Sequence, residues 1–198
     1  MFSVAGRIVM INTTVTECER PSAGGLLARL RSDTRGVTAI EFAMVVGPFL
    51  TLLFGIIGVG LFFFTTFSLE NAVEQAARLL RTGQAQEEGF TAAQFKTKVC
   101  ELVPSHINCG EKVRVNVMSF QDAGDIGDDS LPNCLKGDKT LSDATEYVPG
   151  GPSQIVVVWA CYEWELSSKI PFLDLGNMAG GSRLIQATSV LRSEPYGS

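Results

Sequence analysis

From Phe42 to Leu69 the sequence runs for 28 residues without a charged side chain. As an α-helix that run rises about 42 Å, more than the roughly 30 Å hydrocarbon core of a bilayer. A single membrane span is therefore the first expectation, and it excludes an ordinary soluble enzyme. A cleaved export signal is also excluded, because its apolar region covers only about 7–15 residues and ends at a small-residue cleavage site. Here the run begins after a polar-to-mixed stretch of 41 residues, within which Met10 is an alternative start.

Charge is distributed unevenly about the run. Five Arg and three acidic residues give +2 up to Gly36, and the remainder carries −7. Arg20, Arg29, Arg31 and Arg35 crowd the N-terminal flank, which places the N-terminus in the cytoplasm and the C-terminal part outside. An overall charge of −5 and a pI near 4.9 exclude a nucleic-acid partner, which would need a basic patch. Cysteines follow the same division: Cys18 lies on the cytoplasmic side, and Cys100, Cys109, Cys134 and Cys161 on the other. Four exported cysteines allow two disulfides in three connectivities. We favour Cys100 with Cys109, which closes a short loop, and Cys134 with Cys161. A zinc site at Cys100, His106 and Cys109 is the competing reading, although its spacing is not a usual one.

The junction before the run carries chemistry. In Arg35-Gly36-Val37-Thr38-Ala39-Ile40-Glu41-Phe42 a basic leader ends in Gly, an apolar stretch begins, and one carboxylate follows five residues after that Gly. Glycine lets a backbone enter a tight protease groove without a Cβ clash. A carboxylate in lipid costs several kcal/mol unless it is paired or solvated by headgroups. The junction resembles the processing site of type IV prepilins. That resemblance implies cleavage after Gly36, a new N-terminus at Val37, and Glu41 as fifth mature residue, paired in a filament with the free amine of a neighbouring subunit.

A longer match is more specific. Gly36-Val37-Thr38-Ala39-Ile40-Glu41-Phe42-Ala43-Met44-Val45 is similar to the opening of the TadE-like family, and Asn71-Ala72-Val73-Glu74-Gln75-Ala76-Ala77-Arg78 to its close. These are minor pilins, or pseudopilins, of the tight-adherence (Tad, or Flp) pilus. The major Flp pilins are shorter and usually have Tyr where this chain has Phe42. The resemblance implies a prepilin peptidase, the major Flp pilin, other TadE-like minor pilins and the inner-membrane assembly platform as partners, beside the lipid bilayer. It implies no cofactor or metal, and a place in the bacterial inner membrane or the pilus. An unprocessed single-pass anchor with a periplasmic binding or sensor domain is the alternative.

Along the helix, Ala39, Ala43, Gly47, Thr51 and Gly55 recur every four residues, a line of small side chains suited to close packing against neighbouring helices. Phe54, Phe62, Phe63 and Phe64 are expected to face lipid or the filament interior. Gly47-Pro48 predicts a local break or kink, because Pro48 has no amide hydrogen to donate. Past the run the helix should continue to Arg81, with Glu74 and Arg78 at ion-pairing spacing and Gly83 as its stop.

The expected organisation is a leader over 1–36, a helix over 37–82 and an exported head over 83–198. In the head, Thr91 predicts the cap of a short helix to Leu102, with Phe95, Val99 and Leu102 on one side. Strands are expected over Lys112 to Phe120 (Val113, Val115 and Val117 facing inward), over Gln154 to Leu166 (central, being apolar on both faces) and over Arg183 to Arg192. The fold class is α+β, with an antiparallel sheet packed on helix. Trp159 and Tyr162 should point to opposite faces, which argues against one aromatic platform. Asp122, Asp125, Asp128 and Asp129 read as a solvated acidic loop, with Ca²⁺ the alternative. The lone histidine, His106, and glycine pairs that fit no phosphate-binding fingerprint leave no basis for an enzyme.

Overall fold

The computed structural model describes residues 36–127, 133–169 and 175–196. Two compact units divide the chain, one ending at Val46 and the other running from Gly47 to Ser198. Helix α1 (Val37–Arg81) supplies the described part of the first unit beyond Gly36 and the opening of the second. It is continuous through Pro48, so the expected break does not occur. Proline removes only one bond, to the carbonyl of Met44, and the turns on either side keep theirs. The hydroxyl groups within the apolar run are satisfied internally: Thr51 donates to the Gly47 carbonyl (2.9 Å), Thr65 to Leu61 (2.8 Å), Thr66 to Phe62 (3.0 Å) and Ser68 to Phe64 (2.7 Å). A helix in lipid needs that internal accounting, since no water is present to supply partners.

Gly83 ends α1 in the left-handed region at φ +78°. A Cβ there would collide with the Tyr196 ring, so both backbone and packing demand glycine. Short α2 (Gln84–Glu87) leads to α3 (Ala92–Leu102). Thr91 caps α3 as expected, accepting from the Gln94 amide, while the Gln94 side chain accepts from the Thr91 amide at 2.9 Å. Phe95 and Val99 are buried, but Leu102 is exposed. It occupies the final turn, where the chain already leaves for Val103 in extended conformation. Helix α4 (Cys109–Lys112) precedes the sheet.

The sheet holds β1 (Val113–Phe120), β2 (Ile155–Trp164) and β3 (Arg183–Arg192) in that order, all antiparallel. β2 is central, as its two-sided apolar sequence implies. It stops at Trp164 rather than Leu166 because Glu165–Lys169 turns into a 3₁₀ helix, in which Ser167 donates to the Trp164 carbonyl at 3.0 Å. Lys112 belongs to α4 rather than to β1. Pleating sends alternate β2 residues to two clusters. Val156, Val158, Ala160, Tyr162 and Trp164 join the main core with Phe95 and Val99 of α3 and Leu69, Val73, Ala76 and Leu80 of α1. Trp159 and Cys161 join Cys134, Leu141 and Met178 on the other face. Asn116 is buried where a solvent-facing residue was expected; its side-chain carbonyl accepts from the Glu146 amide at 2.9 Å. That contact and the bonds from Val117 N to Glu146 O and Val148 N to Val117 O lay residues 146–148 along the β1 edge.

Candidate functional site

In the first unit, Gly36 precedes α1 and Val37 opens it. Glu41 is exposed, and no described residue pairs with it. Phe42 is 69% exposed, and Ala39 and Ala43 also face outward. In the second unit, Gly47 and Thr51 are exposed and Gly55 is half-buried. A Cβ built on Gly47 or Gly55 meets nothing within 4 Å, so this chain's own described fold does not require glycine at either position.

From Gly58 onward α1 changes role. Gly58, Thr65, Leu69, Ala72, Val73, Ala76, Ala77 and Leu80 are buried, and from Leu69 on they repeat as adjacent pairs and single positions every three to four residues, one face of the helix. The expectation that all four phenylalanines face outward is corrected for Phe62: its ring lies 5.5 Å from that of Trp164, with the Arg183 guanidinium 5.8 Å above it. That places Phe62 on the buried face, one turn before Thr65 and two before Leu69. Phe64 is half exposed but stacks on His106 at 5.4 Å. Phe54 and Phe63 remain exposed. Glu74 and Arg78 do not form the ion pair that their spacing allows; an exposed pair of that kind gains too little to fix two long side chains.

Cys100 is paired with Cys109 and Cys134 with Cys161, the pairing favoured from the sequence. The first bridge consumes both thiols of the alternative zinc reading, and no thiolate remains there to bind a metal. The second fastens the segment carrying Cys134 to central β2. An ion-pair network holds the same segment to β1: Asp143 takes Lys136 at 2.6 Å and Arg114 at 2.9 Å. The hydrogen bond from Lys136, then that from Arg114, lowers the Asp143 carboxyl to about 2. Lys112 is held between Glu165 (2.9 Å) and Glu163 (3.1 Å), and hydrogen bonds to those two carboxylates raise its pKa. In the acidic loop, Asp122 and Asp125 cap a single 3₁₀ turn, with the Asp122 amide donating to Asp125 at 3.2 Å. Asp128 and Asp129 lie outside the described residues.

The candidate residues are thus positions along α1 rather than the lining of a pocket, with Glu41 an exposed carboxylate. Sequence reasoning missed the contacts of Phe62 and Phe64 with the head, because hydropathy does not distinguish a phenylalanine facing lipid from one facing a protein core. No curated protein and no solved structure matches the chain. Residues 36–78 match the model of a family described as TadE-like protein. The matched stretch, Gly36 to Arg78, covers nearly all of α1.

Proposed function

We propose that this protein is a minor pilin, processed by a prepilin peptidase after Gly36 and taking part in assembly of a Tad/Flp-type adhesive pilus. The observation that carries the reading is a coincidence of boundaries. The TadE-like match begins at Gly36, where the basic leader ends, and α1 begins at Val37. Before assembly, α1 anchors the protein as a single pass in the inner membrane, N-terminus in the cytoplasm and head in the periplasm. Cleavage leaves an α-amine on Val37. Glu41 has no described partner in its own chain, and a neighbour's α-amine supplies the missing positive charge. The line Ala39, Ala43, Gly47, Thr51 and Gly55 gives neighbouring helices a surface for close approach. Partners on this reading are the peptidase, the assembly platform, the major Flp pilin and related minor pilins.

The test is N-terminal mass spectrometry of membrane-extracted protein, with Gly36→Leu as control. A mature start at Val37, abolished in the control, is the expected result. An intact leader in cells expressing the peptidase overturns the reading and leaves an unprocessed membrane anchor bearing a periplasmic domain.

A further inference from the structure

The charge-free run is longer than a hydrocarbon core, and the head begins to pack on α1 before the run ends. With Glu41 at the cytoplasmic edge, the twenty residues Phe42–Leu61 span about 30 Å, the whole hydrocarbon thickness. The next residue, Phe62, already touches Trp164 and Arg183 of the head. Trp164 ends β2 and Arg183 begins β3, so it is the Trp164–Arg183 end of the sheet that meets Phe62. The strands then run alongside the rest of α1, whose far end meets the opposite end of the sheet through the bond from Glu194 N to Arg81 O.

We infer that this end of the head is immersed in the headgroup layer of the outer leaflet, making the head a lipid-contacting body rather than one held clear of the membrane. The inference rests on the membrane-span reading of α1 but not on cleavage at Gly36. A full bilayer with its headgroups is about 40–45 Å thick, which the 42 Å run matches where the bare core does not. The exposed groups at this level have the mixed character that such a layer accepts. Phe63 is 50% exposed and Leu166 37% exposed, both within a few residues of the Phe62–Trp164 contact. A recess of about 310 Å³ beside them is lined by Leu61, Trp164 and Leu166 together with Lys112, Lys169 and Glu163. Lysine stems add apolar length to such a rim. The Glu163 and Glu165 carboxylates beside Lys112 keep the recess close to neutral, which suits a zwitterionic surface.

The test places one spin label at a time on the full-length Cys18→Ser protein, reconstituted alone and sparsely in phosphatidylethanolamine–phosphatidylglycerol vesicles. The label sites are Phe54→Cys, Phe63→Cys, Leu166→Cys and Thr188→Cys, and collision with oxygen and with an aqueous nickel chelate is read at each. Phe54 should be oxygen-rich and chelate-poor, and Thr188 fully open to the chelate. Phe63 and Leu166 should show chelate collision reduced roughly threefold or more against Thr188, with oxygen contact retained, as expected for an interfacial depth. A deep Phe54 with Phe63 and Leu166 as open as Thr188 overturns the inference and leaves the span intact. Phe63 and Leu166 shielded from both reagents overturns it in favour of a protein partner covering the patch. A chelate-open Phe54 removes the span reading itself, and this inference with it.

Discussion

Helix α1 is two surfaces joined end to end. From Val37 to Ile57 its side chains face outward almost all round, and no residue there is buried. From Gly58 to Arg81 one face is buried while Glu70, Glu74, Arg78 and Arg81 stay outside. The second pattern is that of a helix on a protein core, and its stability comes from packing. The first has no packing partner among the described residues, and within it Thr51 bonds back to the Gly47 carbonyl. The same secondary structure thus presents an outward-facing apolar surface in one part and a face buried against the head in the other.

The largest expected effect breaks the comparison directly. Leu69 is fully buried, and Leu69→Ala should cost about 2–5 kcal/mol of head stability in detergent micelles, read by near-UV circular dichroism on heating. Gly47→Leu, and likewise Gly55→Leu, should leave that transition in place, since a Cβ there meets nothing, yet should lower the number of pili per cell. Normal piliation in both glycine variants would remove the packing role of that line.

Disulfides sharpen the contrast. Cys134–Cys161 spans 27 residues and Cys100–Cys109 spans 9. Chain entropy then gives about 3.6 kcal/mol for the first and about 2.7 kcal/mol for the second. Replacing each pair by serine should lower head stability in that order, without changing the helix content of the apolar part. An equal loss from both would mean that chain entropy does not govern them.

The smallest effect is acid-dependent. The Asp143 pKa lies at about 2, below its ordinary 3.8, so its contribution is complete above about pH 4 and is lost as pH falls toward 2. Asp143 is largely exposed, so the contribution is small and weakened by salt. Melting midpoints at pH 3 and pH 5 should differ more for the native chain than for Asp143→Asn. Equal differences would place the acid sensitivity elsewhere in the head.

Much of this was legible in the sequence because it is local. Thr91 as a cap, Gly83 as a stop and the alternation of Val113, Val115 and Val117 are all written in a few neighbouring residues, and the structure keeps them. Central β2 was legible as well, since only a strand covered on both faces can read Ile155-Val156-Val157-Val158-Trp159. Less was legible where a residue's fate depends on distant partners. Leu102 continues the apolar face of α3 in sequence but faces solvent. Asn116 reads as polar and exposed, yet is buried against the Glu146 amide. For the candidate site, Gly36, Glu41 and the small-residue line were legible as a pattern, whereas the point at which α1 stops facing outward was not.

Read alone, the residues specify a helix long enough to cross a membrane, a stretch that resembles the TadE-like family and an α+β head with a three-stranded antiparallel sheet. Those follow from hydropathy, periodicity and short-range capping chemistry, each readable within a window of residues. It took contacts between distant residues to put Phe62 against the head's core with Trp164 and Arg183. Hydropathy records how strongly a side chain avoids water, and lipid and a protein interior satisfy that demand equally; which of the two does so at each position depends on where the head folds back onto the helix.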